Sequence, residues 1–251
     1  MGIQIQKFDT QVLITASDDG LAEITASLIV KAFKRLLTYK EHINFIPSSG
    51  NTPKKTYQIL ATEHHNAIDW SRVRIIQMDE YFSSDLNPEM YFKTFLQDNL
   101  VDPLGIGETI FMQKPDTRTL YTPEEYKQKI KAAGPLDFAL HGIGRNGHIG
   151  FNEPNSAVDS ETRNVILAET TSIDNFPNSS NSERSIAGMT LGLKELQAVA
   201  HTLLIATGKH KAEAIRDLIN YAPTSQIPAC ALWNTPDFGV IVDKAAARLI
   251  K

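Results

Sequence analysis

Four short stretches of this sequence combine residues that can move protons or hold an anion. Met78-Asp-Glu-Tyr81 sets two acids just past an apolar run. One of them can face a cleft and act as a base; the alternative is a solvated loop carboxylate. Gly142-Ile-Gly-Arg-Asn-Gly147 matches G-x-G-x-x-G. The next residues, His148-Ile-Gly-Phe-Asn-Glu-Pro154, are a poor helix opening, which argues against a nicotinamide or flavin site. The side chains of this stretch offer more. Asn146, His148 and Glu153 stand close together, and a histidine beside a carboxylate and an amide is an acid/base group with its orienters.

The other two stretches suit an anion. Ser48-Ser-Gly-Asn-Thr-Pro53 joins an apolar run to a helix-like segment. Backbone N–H groups at a helix start attract anions, Gly50 permits close approach, and the Ser and Thr hydroxyls add donors. An ordinary capped turn is the alternative, and no Walker motif is present. Thr207-Gly-Lys-His-Lys211 places lysines at a helix start, where the helix dipole disfavours cations unless an anion arrives. A solvated lysine pair is the alternative there.

The remaining candidates are weaker. His64 and His65 are adjacent, so they face different directions on a helix. His42, His141, His201 and His210 read as packed or solvated. Cys230, in IPACALW, reads as core. No metal constellation stands out.

The elements that would position these stretches alternate along the chain. Strands are expected at residues 11–17, 42–47, 73–78, 136–144, 202–207 and 239–243. Helices are expected at 21–37, from Thr52 as N-cap with Pro53 as first helical residue, from a Thr122/Glu125 capping box to Gly134, and from Gly208 to about Asn220. This order implies an α/β fold, a mostly parallel sheet with helices on both faces. Ligands bind such sheets at the carboxyl ends of the strands, where all four stretches fall. Residues 169–186, rich in Ser and Asn, read as a surface loop or as a mobile lid.

Composition bounds the function. With 251 residues, one domain is expected over 1–251, with a lid at about 155–186 as an option. The net charge of −4 argues against a nucleic-acid coat. A single cysteine excludes an intrachain disulfide and a cysteine-rich zinc site. No run approaches a membrane span and the first residues show no signal pattern, so a cytoplasmic protein is expected.

Taken together, SSGNTPKKTY, QMDEYF, GIGRNGHIGFNEP, MTLGLKEL and TGKHKAEAI resemble the amino-sugar-phosphate isomerase/deaminase family. The resemblance runs from about residue 45 to 215 in the family's order. It implies a Rossmann-like three-layer αβα sandwich and a hexosamine 6-phosphate substrate. Asp79 would be the base that moves a proton between C2 and C1. His148 would open the sugar ring, Glu153 would hold and charge-balance it, and Asn146 would join this catalytic set. Ser49, Gly50, Thr52 and Lys211 would bind the phosphate, with Asn51, Gly147 and Arg184 added on the substrate side. The implied chemistry needs no metal and no organic cofactor. It falls among the hydrolases, isomerases and deaminases of amino sugar metabolism. The partner is a small phosphorylated amino sugar, not nucleic acid or membrane, and a homo-oligomer stays open.

The sequence departs from the deaminase pattern in three ways. Asn146 stands where the deaminases usually have Asp; its carbonyl could still accept the imidazole N–H. The lid segment offers Arg184 alone as a basic residue, with Arg163 nearby where the deaminases have an effector-linked arginine. The chain also ends soon after its last strand. The Gly-x-Asn-Gly-His form, TLGLK and IPACALW look more like the galactosamine-6-phosphate branch, giving tagatose 6-phosphate and ammonia as the favoured reaction. Glucosamine 6-phosphate is the alternative substrate, followed by a 6-phosphogluconolactonase and a non-catalytic sugar-phosphate sensor.

Overall fold

The computed structural model describes residues 5–7, 10–82, 87–115, 117, 119–167 and 187–250. Its main sheet has eight strands: β1 (Ile5–Lys7), β2 (Thr10–Thr15), β3 (Ile43–Ile46), β4 (Val73–Ile76), β6 (Glu108–Ile110), β7 (Phe138–His141), β10 (His201–Ala206) and β11 (Phe238–Asp243). The spatial order is β1-β2-β11-β10-β7-β3-β4-β6. β1 pairs antiparallel with β2, and every other pairing is parallel.

Side chains alternate across this sheet and split the core in two. Phe45, Ile75, Leu140 and Ile205 face α1 (Asp18–Leu36) and α2 (Asn51–Glu63). Their neighbours Ile46, Ile76, Ala139 and Leu204 face the other layer. That layer holds α5 (Pro123–Ala133), α6 (Leu193–Gln197) and α7 (Ala212–Asn220). Near-continuous apolar strands are the signature of a sheet covered on both sides. On the first face Phe33 of α1 meets Phe45 and Phe138 edge-on, at centroid distances of 5.3 and 5.4 Å. Such pairs add about 1 kcal/mol each beyond their burial.

Helix ends obey local chemistry. Ser17 caps α1, accepting from Gly20 N at 3.2 Å. The expected capping box opens α5: Glu125 N donates to Thr122 Oγ1 and Thr122 N to Glu125 Oε2, at 3.2 and 2.7 Å. At α2 the expectation fails by two residues. Gly50, at φ +107°, is the N-cap and Asn51 the first helical residue, so Thr52 lies inside the first turn. A positive φ suits glycine, and it starts the helix early enough to leave Thr52 no capping role.

A second, three-stranded antiparallel sheet departs from the expected single sheet. It pairs β5 (Asp79–Phe82) with β9 (Ala187–Thr190), and β9 with β8 (Arg163–Ile166). Tyr81, Phe151 and Leu167 form its own small core. Two short helices, α3 (Phe92–Leu96) and α4 (Asp102–Leu104), lead on to edge strand β6. Residues 168–186, which include most of the lid candidate and Arg184, lie outside the described residues. No helix among the described residues is long and apolar enough to cross a membrane.

Candidate active site

β10, β7, β3 and β4 are consecutive neighbours in the sheet and run the same way. Their carboxyl ends therefore open on one edge. The loops beyond them carry Thr207–Lys211, Gly142–Pro154, Ser48–Thr52 and Asp79. They enclose a cavity of about 290 Å3. From the expected set it gathers Asp79, His148, Lys211 and the turn of Ser49, Gly50, Asn51 and Thr52. Phe92, Phe151 and His210 also line it, so His210 belongs to the site and is not merely a packed or solvated residue.

Asp79 leaves β4 after two residues and opens β5, where it pairs with Thr190 of β9. It is thus a strand residue, 6% exposed, and not the solvated loop acid of the alternative reading. No hydrogen bond to its carboxylate is found among the described residues. Burial first, and the neighbouring Glu80 second, push its pKa up to about 8. A carboxyl in that range exchanges protons readily near neutral pH.

The His148 loop folds back on itself. Gly144 N donates to His148 O at 2.9 Å, and Gly147 N to Gly144 O at 3.1 Å. A Cβ at Gly144 would lie 2.3 Å from the imidazole, so only glycine lets the ring lie against the loop. A bridge between Ile149 and Asn152 then reverses the chain. Buried Asn152 fixes that reversal, donating to Ile149 O and Leu191 O at 3.1 and 2.8 Å. The reversal returns Glu153 to the histidine, with Oε2 3.5 Å from His148 Nδ1.

Asn146 takes a different part from the one expected. Its Oδ1 accepts from the backbone N of His148 at 3.2 Å, and its Nδ2 donates to Glu153 Oε2 at 2.8 Å. An Asn two residues before an amide captures it in a local turn. The residue thus buttresses Glu153 and does not line the cavity. Gly147 does not line it either: at φ +81° its Cα faces Ile227, and its carbonyl accepts from Ala229 N at 2.9 Å. Arg163 points elsewhere, donating to Asn152 Oδ1 and Ser156 Oγ at 2.8 and 3.0 Å.

Two anion-friendly features meet in the cavity. Gly50 supplies no side-chain cap, so the first turn of α2 presents backbone N–H groups beside Ser49 and Thr52. Lys211, at the N-cap of α7, comes from the β10 side. Asp243 of β11 anchors that second turn. Gly208 N donates to both its oxygens at 3.1 Å, and Ala246 N donates at 2.7 Å. Sequence reasoning missed Asp243, although its place at the end of an apolar strand marks it as a loop anchor.

The family described as glucosamine-6-phosphate isomerases/6-phosphogluconolactonase matches residues 16–240. A glucosamine-6-phosphate deaminase of Pseudoalteromonas translucida (strain TAC 125) is 35% identical over 96% of this chain and 90% of its own length. One of Clostridium botulinum (strain Alaska E43 / Type E3) is 33% identical over 96% of both. Among solved structures, a monomeric glucosamine-6-phosphate deaminase superposes with a TM-score of 0.84 at 28% identity, over 95% of this chain and 99% of that one. A 6-phosphogluconolactonase from Trypanosoma cruzi shares the fold, with a TM-score of 0.77 at 19% identity over 99% of each chain. These relatives correct one expectation: they are named deaminases, and the hydrolase class is set aside. The αβα sheet, the four loops at its carboxyl edge and the match over residues 16–240 agree, and the chain belongs to the glucosamine-6-phosphate isomerase/6-phosphogluconolactonase family as a hexosamine-6-phosphate deaminase/isomerase.

Proposed function

We propose that the substrate is glucosamine 6-phosphate, converted to fructose 6-phosphate and ammonia. The observation that carries the reading is one cavity holding a buried carboxyl, a carboxylate-backed histidine and an anion cradle. The phosphate sits on the α2 first turn with Ser49, Gly50, Asn51 and Thr52, and Lys211 adds charge. His148, with Nδ1 turned to Glu153, uses Nε2 to give a proton to the ring oxygen as the ring opens. Asp79 takes the C2 proton of the open aldose and returns it to C1. With O1 gaining a proton and the C2 nitrogen losing one, the C1 carbonyl becomes a hydroxyl and C2 an imine, which adds water and loses ammonia. Positioning and proton transfer supply the acceleration.

Of the features that suggested galactosamine, which also include TLGLK and IPACALW, Asn146 contacts Glu153 and the loop backbone and is not among the residues lining the cavity. The curated relatives act on the gluco sugar by name, which favours that epimer here. Ammonia release from the two hexosamine 6-phosphates, measured side by side, tests the reading. Faster turnover of the galacto sugar overturns the epimer. Silence on both, with 6-phosphogluconolactone consumed, overturns the reaction.

A further inference from the structure

The two adjacent acids of β5 live in opposite surroundings. Asp79 faces the cavity, with no hydrogen bond to its carboxylate among the described residues. Glu80, on the other side of the strand, is 0% exposed and accepts four N–H bonds. Its Oε1 receives Tyr81 N and Phe92 N at 3.0 and 3.1 Å. Its Oε2 receives Lys93 N and Gln77 Nε2, both at 2.8 Å.

The Gln77 contact has a defined direction. Gln77 Oε1 accepts from Met112 N at 2.9 Å, so the amide nitrogen is the end turned to Glu80. That nitrogen also donates to Asp79 O at 3.0 Å. All four hydrogen-bond partners found for Glu80 among the described residues are therefore donors. A protonated Glu80 would set its O–H against one of these N–H groups. Burial, the larger influence, pushes the Glu80 pKa up, and the four N–H groups pull it down; surroundings made of donors favour the anion.

We propose that Glu80 is a positioning residue of this site: a buried anion beside Asp79 whose four N–H bonds pin the wall that carries Phe92. The pinning comes from its bonds to Phe92 N and Lys93 N, which tie β5 to the start of α3. Phe92 lines the substrate cavity and packs on Tyr81 and Phe151, at centroid distances of 4.7 and 5.7 Å. Its negative charge, one residue away in a dry site, also raises the proton affinity of Asp79.

Other ionisable groups face Asp79 as well. Tyr126 of α5 donates its hydroxyl to Gln77 O and Ile110 O at 2.7 and 3.0 Å. His148, His210 and Lys211 face it across the cavity. Bringing a cation near would lower its proton affinity; only Glu80 supplies a fixed opposing charge from within the same strand.

The functional weight of this proposal rests on Asp79 being the base of the proposed reaction, so the test reads Asp79 directly. The side-chain carboxyl carbons of the uniformly labelled full chain are assigned through bonds and titrated by NMR without substrate. Glu80 is expected to stay ionised over the whole range in which Asp79 takes up its proton. In Glu80→Gln the Asp79 midpoint is expected to fall by about one pH unit or more, a tenfold loss of proton affinity. The acid limb of kcat/KM for glucosamine 6-phosphate moves with it. Glu80→Asp, which keeps the charge and shortens the reach, retains the midpoint and lowers kcat.

An unchanged midpoint in folded Glu80→Gln overturns the proposal, as does an equal shift in Glu80→Asp. Glu80 protonating at or above the pH at which Asp79 does also overturns it. That result is read in the wild-type chain and decides the matter even if the variants fail to fold. A wild-type chain that turns over no hexosamine phosphate while the midpoint shift holds would overturn the deaminase reading alone and support the coupling of the two acids.

Discussion

Glu153 Oε2 lies 3.5 Å from His148 Nδ1, across a loop that doubles back so that residues five apart in sequence meet. In the proposed reaction the carboxylate fixes which imidazole nitrogen faces the substrate and steadies the ring as the proton moves. Glu153→Gln keeps the shape and removes the charge. We expect kcat to fall roughly 10- to 100-fold with KM little changed. Steady-state kinetics on glucosamine 6-phosphate check this, and near-normal kcat would remove Glu153 from the histidine's support.

Asn146 shares that same carboxylate oxygen, donating to it at 2.8 Å. Asn146→Asp would set two carboxylates against one another, and one of them would take up a proton. The expected result is an altered pH profile with an unchanged ratio of kcat/KM between the gluco and galacto sugars. A reversal of that ratio would show that this position does read the C4 epimer.

The four loops were legible because each comes after an apolar run and carries a turn residue or a change to polar side chains, as at Ile46 to Ser48 and His141 to Gly142. The Thr122/Glu125 cap was legible because its chemistry is local. The second sheet was not. Each of its three strands is four residues long, too short for a period to show, and β5 comes after β4 with no glycine or proline between. Glu80 was hidden for a related reason: its donors at Phe92 and Lys93 are backbone groups, which carry no residue signature. Asn146 misled in the opposite way. The residue suggested an imidazole partner, and its carbonyl also accepts from the His148 backbone amide.

In the proposed reaction Lys211 and the α2 first turn, which line the same cavity, divide the work of binding the phosphate. Removing the lysine charge leaves the backbone donors in place. Lys211→Ala should raise KM about 10- to 100-fold, equivalent to 1.4 to 2.8 kcal/mol. It should also weaken competitive inhibition by inorganic phosphate by a similar factor. Equal phosphate inhibition of variant and wild type would place the phosphate elsewhere.

Two buried groups make stability depend on pH with opposite signs. Asp79 has its pKa raised from an ordinary 3.8 to about 8, by burial first and by Glu80 second. The unfolded chain ionises it from 3.8 upward while the folded chain resists, so its contribution is lost as pH rises through 8. His141 sits at 0% exposure at the end of β7, where burial lowers its pKa from 6.5 to about 3. The unfolded chain protonates it below 6.5 while the folded chain does not, so its contribution is lost as pH falls toward 3. Each slope is about 1.4 kcal/mol per pH unit. They cancel where both act, between 3.8 and 6.5, and Asp79 acts alone from 6.5 to 8. Wild-type stability should therefore decline by about 2 kcal/mol over that upper interval. Asp79→Asn should abolish the decline and so gain on the wild type as pH rises. His141→Leu should remove the acid-side loss and leave the upper decline intact. Urea unfolding of the three proteins from pH 4 to 9 measures these differences, and parallel curves for wild type and Asp79→Asn would show that Asp79 is not held protonated by the fold.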